Sequence, residues 1–134
     1  MKNLEIAKEL ASIITENMNQ GFVLLLSGEM GAGKTTLVKE ILDQFDSEIE
    51  VTSPTFTIVN QYAENIFHLD LYRLYKSSEF KHLGLEEILT EKNIVFIEWA
   101  DKLPQEWLRL CRGPGLSIKI TKINEEGRKF EIIS

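Results

Sequence analysis

The sequence predicts an α/β fold of three layers: a central mixed sheet with antiparallel additions and flanking helices. Three observations predict it. A short apolar run, Phe22-Val23-Leu24-Leu25-Leu26, precedes a glycine-rich loop, and Thr36-Leu37-Val38-Lys39-Glu40-Ile41-Leu42 follows with helical spacing. A second continuous apolar run, Ile94-Val95-Phe96-Ile97 closed by Glu98, has the composition of a strand buried on both faces. Two pairs of β-rich runs, Phe56 to Tyr62 with Ile66 to Leu71 and Leu116 to Lys122 with Arg128 to Ile133, are each separated by turn residues and read as hairpins. Buried parallel-type strands with helices between them, joined by hairpins, give a sheet covered by helices.

The elements follow in order. Leu4, Ala7, Leu10, Ala11, Ile14 and Met18 recur at helical spacing and predict an amphipathic packing helix that ends near Asn19-Gln20-Gly21. The first strand, the glycine loop and its helix come next, the helix ending by Asp46-Ser47. Thr52-Ser53-Pro54-Thr55 is a loop, because Pro54 lacks an N–H and biases Ser53 toward extended backbone. The first hairpin turns at Ala63-Glu64-Asn65, and Glu79 to Leu89 holds one or two short helices broken at Gly84. The second hairpin turns between Asn124 and Gly127. At 134 residues the chain is read as one domain over residues 1–134.

Composition narrows the function classes. A hydrophobic content of 43% with 27% charged residues is that of a soluble globular protein. No apolar run approaches the length of a membrane span, and Met1-Lys2-Asn3-Leu4-Glu5 lacks a secretory apolar core, so a cytoplasmic location is expected. The single Cys111 excludes an intramolecular disulfide and a multi-thiolate metal site, and the two histidines, His68 and His82, are too few to suggest zinc. The net charge is −6, and from Arg109 onward six basic residues face three acidic ones, so the preceding 108 residues carry about −9. Most of this surface repels a polyanion, which argues against unaided nucleic-acid binding.

Chemistry concentrates in Gly28-Glu29-Met30-Gly31-Ala32-Gly33-Lys34-Thr35-Thr36, which fits G-x-x-x-x-G-K-[ST] at every fixed position. Glycines 28, 31 and 33 let the backbone turn tightly with its N–H groups inward. Lys34 supplies a positive charge for β- and γ-phosphates, and the Thr35 hydroxyl is the usual protein ligand of Mg²⁺ in this motif. With a strand before it and a helix after it, the loop presents a helix N-terminus to anionic phosphates. This context makes the expected architecture a P-loop NTPase-like three-layer sandwich.

A second tier of residues surrounds that loop. Glu98, ending its apolar run, is placed as a Walker-B-like acid that binds Mg²⁺ directly or through water, or orients the attacking water. In His68-Leu69-Asp70-Leu71, His68 and Asp70 share one strand face, which is either a metal- and water-positioning face or a solvent face. Thr55, in its proline-fixed loop, could sense a γ-phosphate as a switch threonine. Arg73 either stabilises transition-state charge in cis or pairs with a surface acid. Trp99 and Trp107 read as core or interface anchors rather than stacking platforms.

Together these residues resemble the TsaE family, small P-loop ATPases required for threonylcarbamoyladenosine (t6A) at position 37 of bacterial tRNAs. Gly28 to Leu37 is similar to the family's G-D-L-G-A-G-K-T-T-L, Ser53 to Val59 to S-P-T-F-T-L-V, His68 to Leu74 to H-x-D-L-Y-R-L, and Glu98-Trp99 to its acid-tryptophan pair. The resemblance spans nearly the whole chain. It departs at Glu29-Met30, where Asp-Leu is commoner, at Ala100, where proline is frequent, and in the unfamiliar Arg112-Gly113-Pro114-Gly115 stretch. The resemblance implies ATP or ADP with Mg²⁺ as cofactors, Thr35 and Glu98 as magnesium ligands, Lys34 and Asp70 in catalysis, and Thr55 as a switch. It implies that the segment near Leu4 and the turn at Gly127 flank the adenine, while Gly28 to Thr36 hold the phosphates. It also implies TsaD and TsaB as partners, with tRNA reached only through their complex and no membrane contact. The resulting expectation is a Mg²⁺-dependent ATPase switch that does not itself transfer the carbamoyl group. Two rivals stand beside it. One is a small P-loop metabolite kinase, for which about 100 residues after the loop leave little room for an acceptor pocket and a lid. The other is a nucleotide-binding adaptor without turnover.

Overall fold

The structure, a computed structural model, describes residues 3–29, 31–45, 59–72, 84–102, 105–110, 114–125 and 127–133. Met30, Thr55, Arg73, His82 and Cys111 lie outside the described residues, as do the Pro54 loop and the start of the first hairpin run.

The elements run α1 (Asn3–Glu16), β1 (Phe22–Ser27), α2 (Lys34–Phe45), β2 (Val59–Ala63), β3 (Ile66–Asp70), α3 (Leu85–Thr90), β4 (Ile94–Glu98), a 3₁₀ turn (Ala100–Lys102), α4 (Gln105–Leu108), β5 (Gly115–Lys122) and β6 (Arg128–Ile133). The strands form one sheet in the order β2-β3-β4-β1-β5-β6. Its four inner strands are mutually parallel, and the two hairpins β2-β3 and β5-β6 close the edges with antiparallel pairs. This is the mixed sheet with antiparallel additions that the sequence predicts.

Strand alternation builds the three layers. Phe22, Leu24 and Leu26 of β1 and Ile94 and Phe96 of β4 bury against Leu10 and Ile14 of α1 and Leu37 and Ile41 of α2. Val23 of β1 and Val95 and Ile97 of β4 turn the other way, onto Leu85, Ile88 and Leu89 of α3 and Leu69 of β3. All five residues of β4 are buried, so the apolar run does mark a strand covered on both faces. Each buried Leu, Ile or Phe removes apolar area worth about 1.5–3 kcal/mol from water, and this two-sided core fixes the register of the inner strands.

Boundaries differ from the sequence expectation in small ways. α2 starts at Lys34 rather than Thr36, because the Gly33 carbonyl already accepts the Leu37 N–H at 3.0 Å. α1 ends at Glu16, with turns from Asn17 to Gln20 carrying the chain to Gly21. The 3₁₀ turn and α4 after β4 are too short to show a period in the sequence. No helix among the described residues is long and apolar enough to cross a membrane.

Parallel inner strands send their C-terminal ends to one edge of the sheet, the place where open α/β sheets hold ligands. Register fixes the neighbours there: Leu26 pairs with Glu98, and Glu98 pairs with Asp70.

Candidate functional site

The glycine loop leaves β1 at its C-terminal end and is pressed against β5. Gly28 has φ 145°, and a Cβ there would lie 2.5 Å from the Ile120 carbonyl oxygen. Only glycine fits that approach. The Ala32 N–H donates to the Glu29 carbonyl at 3.0 Å, giving the turn that leads into α2. Gly28, Glu29, Gly31, Ala32, Gly33, Lys34, Thr35 and Thr36 therefore form one continuous loop-to-helix junction, as the sequence places them.

Lys34 is buried, with 4% of its surface exposed. Its Nζ donates to the Gly28 carbonyl at 2.7 Å and the Glu29 carbonyl at 3.0 Å, and stands 4.1 Å from the centre of the Trp99 ring. Burial lowers its pKa, while the carboxylates of Glu98, Asp70 and Asp101 pull the other way. Trp99 itself has φ 59°, a left-handed conformation that is rare for a bulky residue and is found where surroundings over-determine the backbone. Its ring packs on the second core, as the sequence reading expects, and also lies 5.0 Å from the Tyr72 ring.

The second feature of the site is a carboxylate at the centre of a hydrogen-bond network. Glu98 is 97% buried, and a buried charge requires partners. Thr35 Oγ1 donates to its Oε1 at 3.0 Å and its Oε2 at 2.8 Å. His68 Nε2 meets Oε2 in a very short contact, and His68 Nδ1 lies 2.9 Å from the Tyr62 hydroxyl. His68 has no exposed surface. Burial, and then the charge of Glu98, push the Tyr62 phenol up to about 12. Asp70 is next to Glu98 in the sheet; its Oδ1 accepts the Tyr72 N–H at 3.0 Å. Burial raises the Asp70 pKa, Glu98 adding to the effect and the Tyr72 N–H, His68 and Lys34 opposing it.

The far hairpin also reaches the loop. Arg128 Nε donates to the Ala32 carbonyl at 2.9 Å, and its Nη1 donates to the carbonyls of Asn124 and Gly127, both at 3.0 Å. The Gly127 N–H in turn donates to Asn124 Oδ1 at 2.7 Å. The Gly127 turn is thus tied to the glycine loop. Leu4 lies in the first turn of α1.

Lys34, Thr35, Asp70 and Glu98 therefore converge, whereas Thr55 and Met30 fall outside the described residues. Sequence reasoning offered His68 only as part of a face that is either metal- and water-positioning or solvent-facing, and it missed Tyr62 and Arg128. For Arg128, separated from Ala32 by 96 positions, there was no signal.

The donor set suits a small hard cation. Among the described residues no group of three or more His, Cys, Asp or Glu could hold a metal unaided. Mg²⁺ asks for less: it retains waters, takes one or two protein oxygens and completes its shell with substrate phosphates. Thr35 spends its proton on Glu98, which leaves the hydroxyl lone pairs for a cation.

Fold and loop together define an α/β protein of the P-loop NTPase type. The crystal structure of Bacillus subtilis YdiB superposes on it with a TM-score of 0.56 at 28% identity, covering 92% of this chain and 77% of that one. The family model for TsaE, "Threonylcarbamoyl adenosine biosynthesis protein TsaE", matches residues 1–130. Proteins named tRNA threonylcarbamoyladenosine biosynthesis protein TsaE are similar to this chain. The one from Rickettsia felis is 33% identical over 100% of this chain and 78% of its own length. That from Nostoc sp. is 39% identical over 96% and 80%, and that from Bacillus subtilis 36% over 81% and 72%. The chain belongs to the TsaE family of t6A biosynthesis.

Proposed function

We propose that this chain binds ATP with Mg²⁺, hydrolyses it, and acts as a nucleotide switch on the TsaD and TsaB proteins during t6A formation on tRNA, without transferring the carbamoyl group itself. The observation that carries this reading is the Thr35–Glu98 pair, a hydroxyl and a carboxylate locked together beside a glycine-rich cradle and its lysine. Loop N–H groups and the α2 N-terminus receive phosphate oxygens, and Lys34 adds its charge to the β- and γ-phosphates. Thr35 and Glu98 would hold the metal, which when bound neutralises phosphate charge. Asp70, on the adjacent strand, is the second carboxylate and orients water. The switch reading rests on charge as well. The acidic surface outside the tail disfavours direct tRNA contact, so the coupling runs through partner proteins.

ATP hydrolysis measured with Mg²⁺, with and without TsaD and TsaB, tests the proposal. Turnover that rises when the partners are present supports it. Turnover that requires a small-molecule acceptor indicates a kinase, and binding with no turnover under any condition indicates an adaptor.

A further inference from the structure

His68 is wholly buried, polar, and bonded on both ring nitrogens, yet neither the loop chemistry nor the magnesium reading assigns it a task. The protonation pattern follows from its partners. An ionised carboxylate can only accept, so Nε2 must carry the proton that Glu98 Oε2 receives. The Tyr62 hydroxyl, held protonated by burial, lies 2.9 Å from Nδ1 and donates to it, which leaves the ring its proton on Nε2. The chain Tyr62 O–H to His68 Nδ1, His68 Nε2–H to Glu98, with Thr35 Oγ1–H donating to Glu98 from the opposite side, leaves no donor facing another donor.

The sheet is built to place the outer member. β2 and β3 pair regularly from Val59↔Leu69 to Gln61↔Phe67, then slip between Gln61 and Ala63, so Tyr62 is the extra residue of a β-bulge. Tyr62 and Ala63 consequently both pack against the first core, where alternation would have sent one of them away. Bulges re-aim side chains in this way beside functional sites.

We propose that His68, fixed in its Nε2–H tautomer by Tyr62, is a positioning residue that holds the Glu98 carboxylate toward Thr35. The inference rests on the reading of Glu98 as a magnesium-side acid. Without the Nε2–H donor, Glu98 keeps Thr35 on one side only and can rotate away from it. Outer-shell partners of metal ligands typically change metal affinity by about 10- to 100-fold when removed.

Mn²⁺ binding in the presence of a non-hydrolysable ATP analogue, read by electron paramagnetic resonance, should fall about 10- to 100-fold in His68→Leu. His68→Gln, whose amide nitrogen reaches the place of Nε2, should recover most of it, and Tyr62→Phe should lie between. Metal-free affinity for the analogue should stay unchanged in all three, which a general loss of fold would not allow. Mn²⁺ affinity of His68→Leu equal to the parent's, or no recovery in His68→Gln, overturns the proposal. Absence of Mn²⁺ binding by the parent defeats the magnesium reading, and a second arm still decides the inference. In ¹⁵N-histidine spectra, which contain only His68 and His82, His68 should show a proton on Nε2 and none on Nδ1, a pattern altered in Tyr62→Phe. A proton on Nδ1 in the parent overturns it.

Discussion

The Lys34 ammonium stands 4.1 Å from the centre of the Trp99 ring while it donates to the Gly28 and Glu29 carbonyls. An aromatic face and two carbonyls around a buried ammonium make up part of the solvation that burial removes. Trp99 can present its ring there because it follows Glu98 in a left-handed backbone conformation. One strand end therefore delivers both the acid and the surface on which the lysine rests.

Lys34→Ala should lower ATP affinity by at least about tenfold, since a charge-assisted hydrogen bond contributes about 1.5–3 kcal/mol and each 1.4 kcal/mol is tenfold. The fold should survive, since Lys34 belongs to neither apolar core. Calorimetric titration with ATP checks this; unchanged affinity would remove the loop from the site.

Glu98→Gln and Asp70→Asn should each keep nucleotide binding and slow hydrolysis by roughly ten- to a thousandfold, because both swaps preserve shape and delete a charge that faces the reaction. The two side chains are cross-strand neighbours, so their effects should not add. Turnover with partners present, measured for both single variants and the double variant, is the check.

Much of this arrangement is legible in the sequence. The run Phe22 to Leu26, the G-x-x-x-x-G-K-[ST] spacing and the run Ile94 to Ile97 announce two buried strands and a tight glycine loop leading into a helix, because apolar continuity and glycine placement are local signals. Glu98 could be found because it ends such a run. His68 and Tyr62 could not be assigned, because their meeting depends on a bulge that exists only once β2 pairs with β3. Arg128 was hidden for a similar reason: its contact with Ala32 arises from the sheet order that sets β5 beside β1.

Gly28→Ala should destabilise the protein by about 1–3 kcal/mol, as overpacking does in a site that cannot yield. The atom it would meet is a backbone oxygen of β5 at 2.5 Å, and the φ of 145° strains any side chain in addition. Denaturant midpoints compared at equal slope measure the effect; a midpoint equal to the parent's would mean that the loop can lift off β5.

Glu40 on α2 gives a pH-dependent test away from the site. Its Oε2 is buried with no hydrogen-bond partner among the described residues, and burial, helped by Asp43, raises its pKa. A carboxyl whose pKa is higher folded than unfolded stabilises the fold below the unfolded value of 4.5 and loses that contribution as pH rises through the folded value. At neutral pH its charge is a net cost. Glu40→Gln should therefore melt at a higher temperature than the parent at pH 7, with the difference shrinking at pH values below 4.5. A constant difference across that range would contradict the assignment.

The isolated chain should hydrolyse ATP slowly and should be accelerated by TsaD and TsaB. Among the described residues, the arginine tied to the loop, Arg128, spends Nε and Nη1 on the carbonyls of Ala32, Asn124 and Gly127, which makes it a brace rather than a mobile finger. In P-loop enzymes a group supplied in trans is worth roughly 10³ to 10⁵ in rate, so stimulation by partners should be large. Direct tRNA binding should be weak, because the residues before Arg109 carry about −9 and affinity for nucleic acid comes chiefly from phosphate neutralisation. Filter binding at about 150 mM salt, where the Debye length is near 8 Å, checks the second expectation. Tight stoichiometric capture of tRNA by this chain alone would overturn the switch reading and favour an enzyme acting directly on RNA.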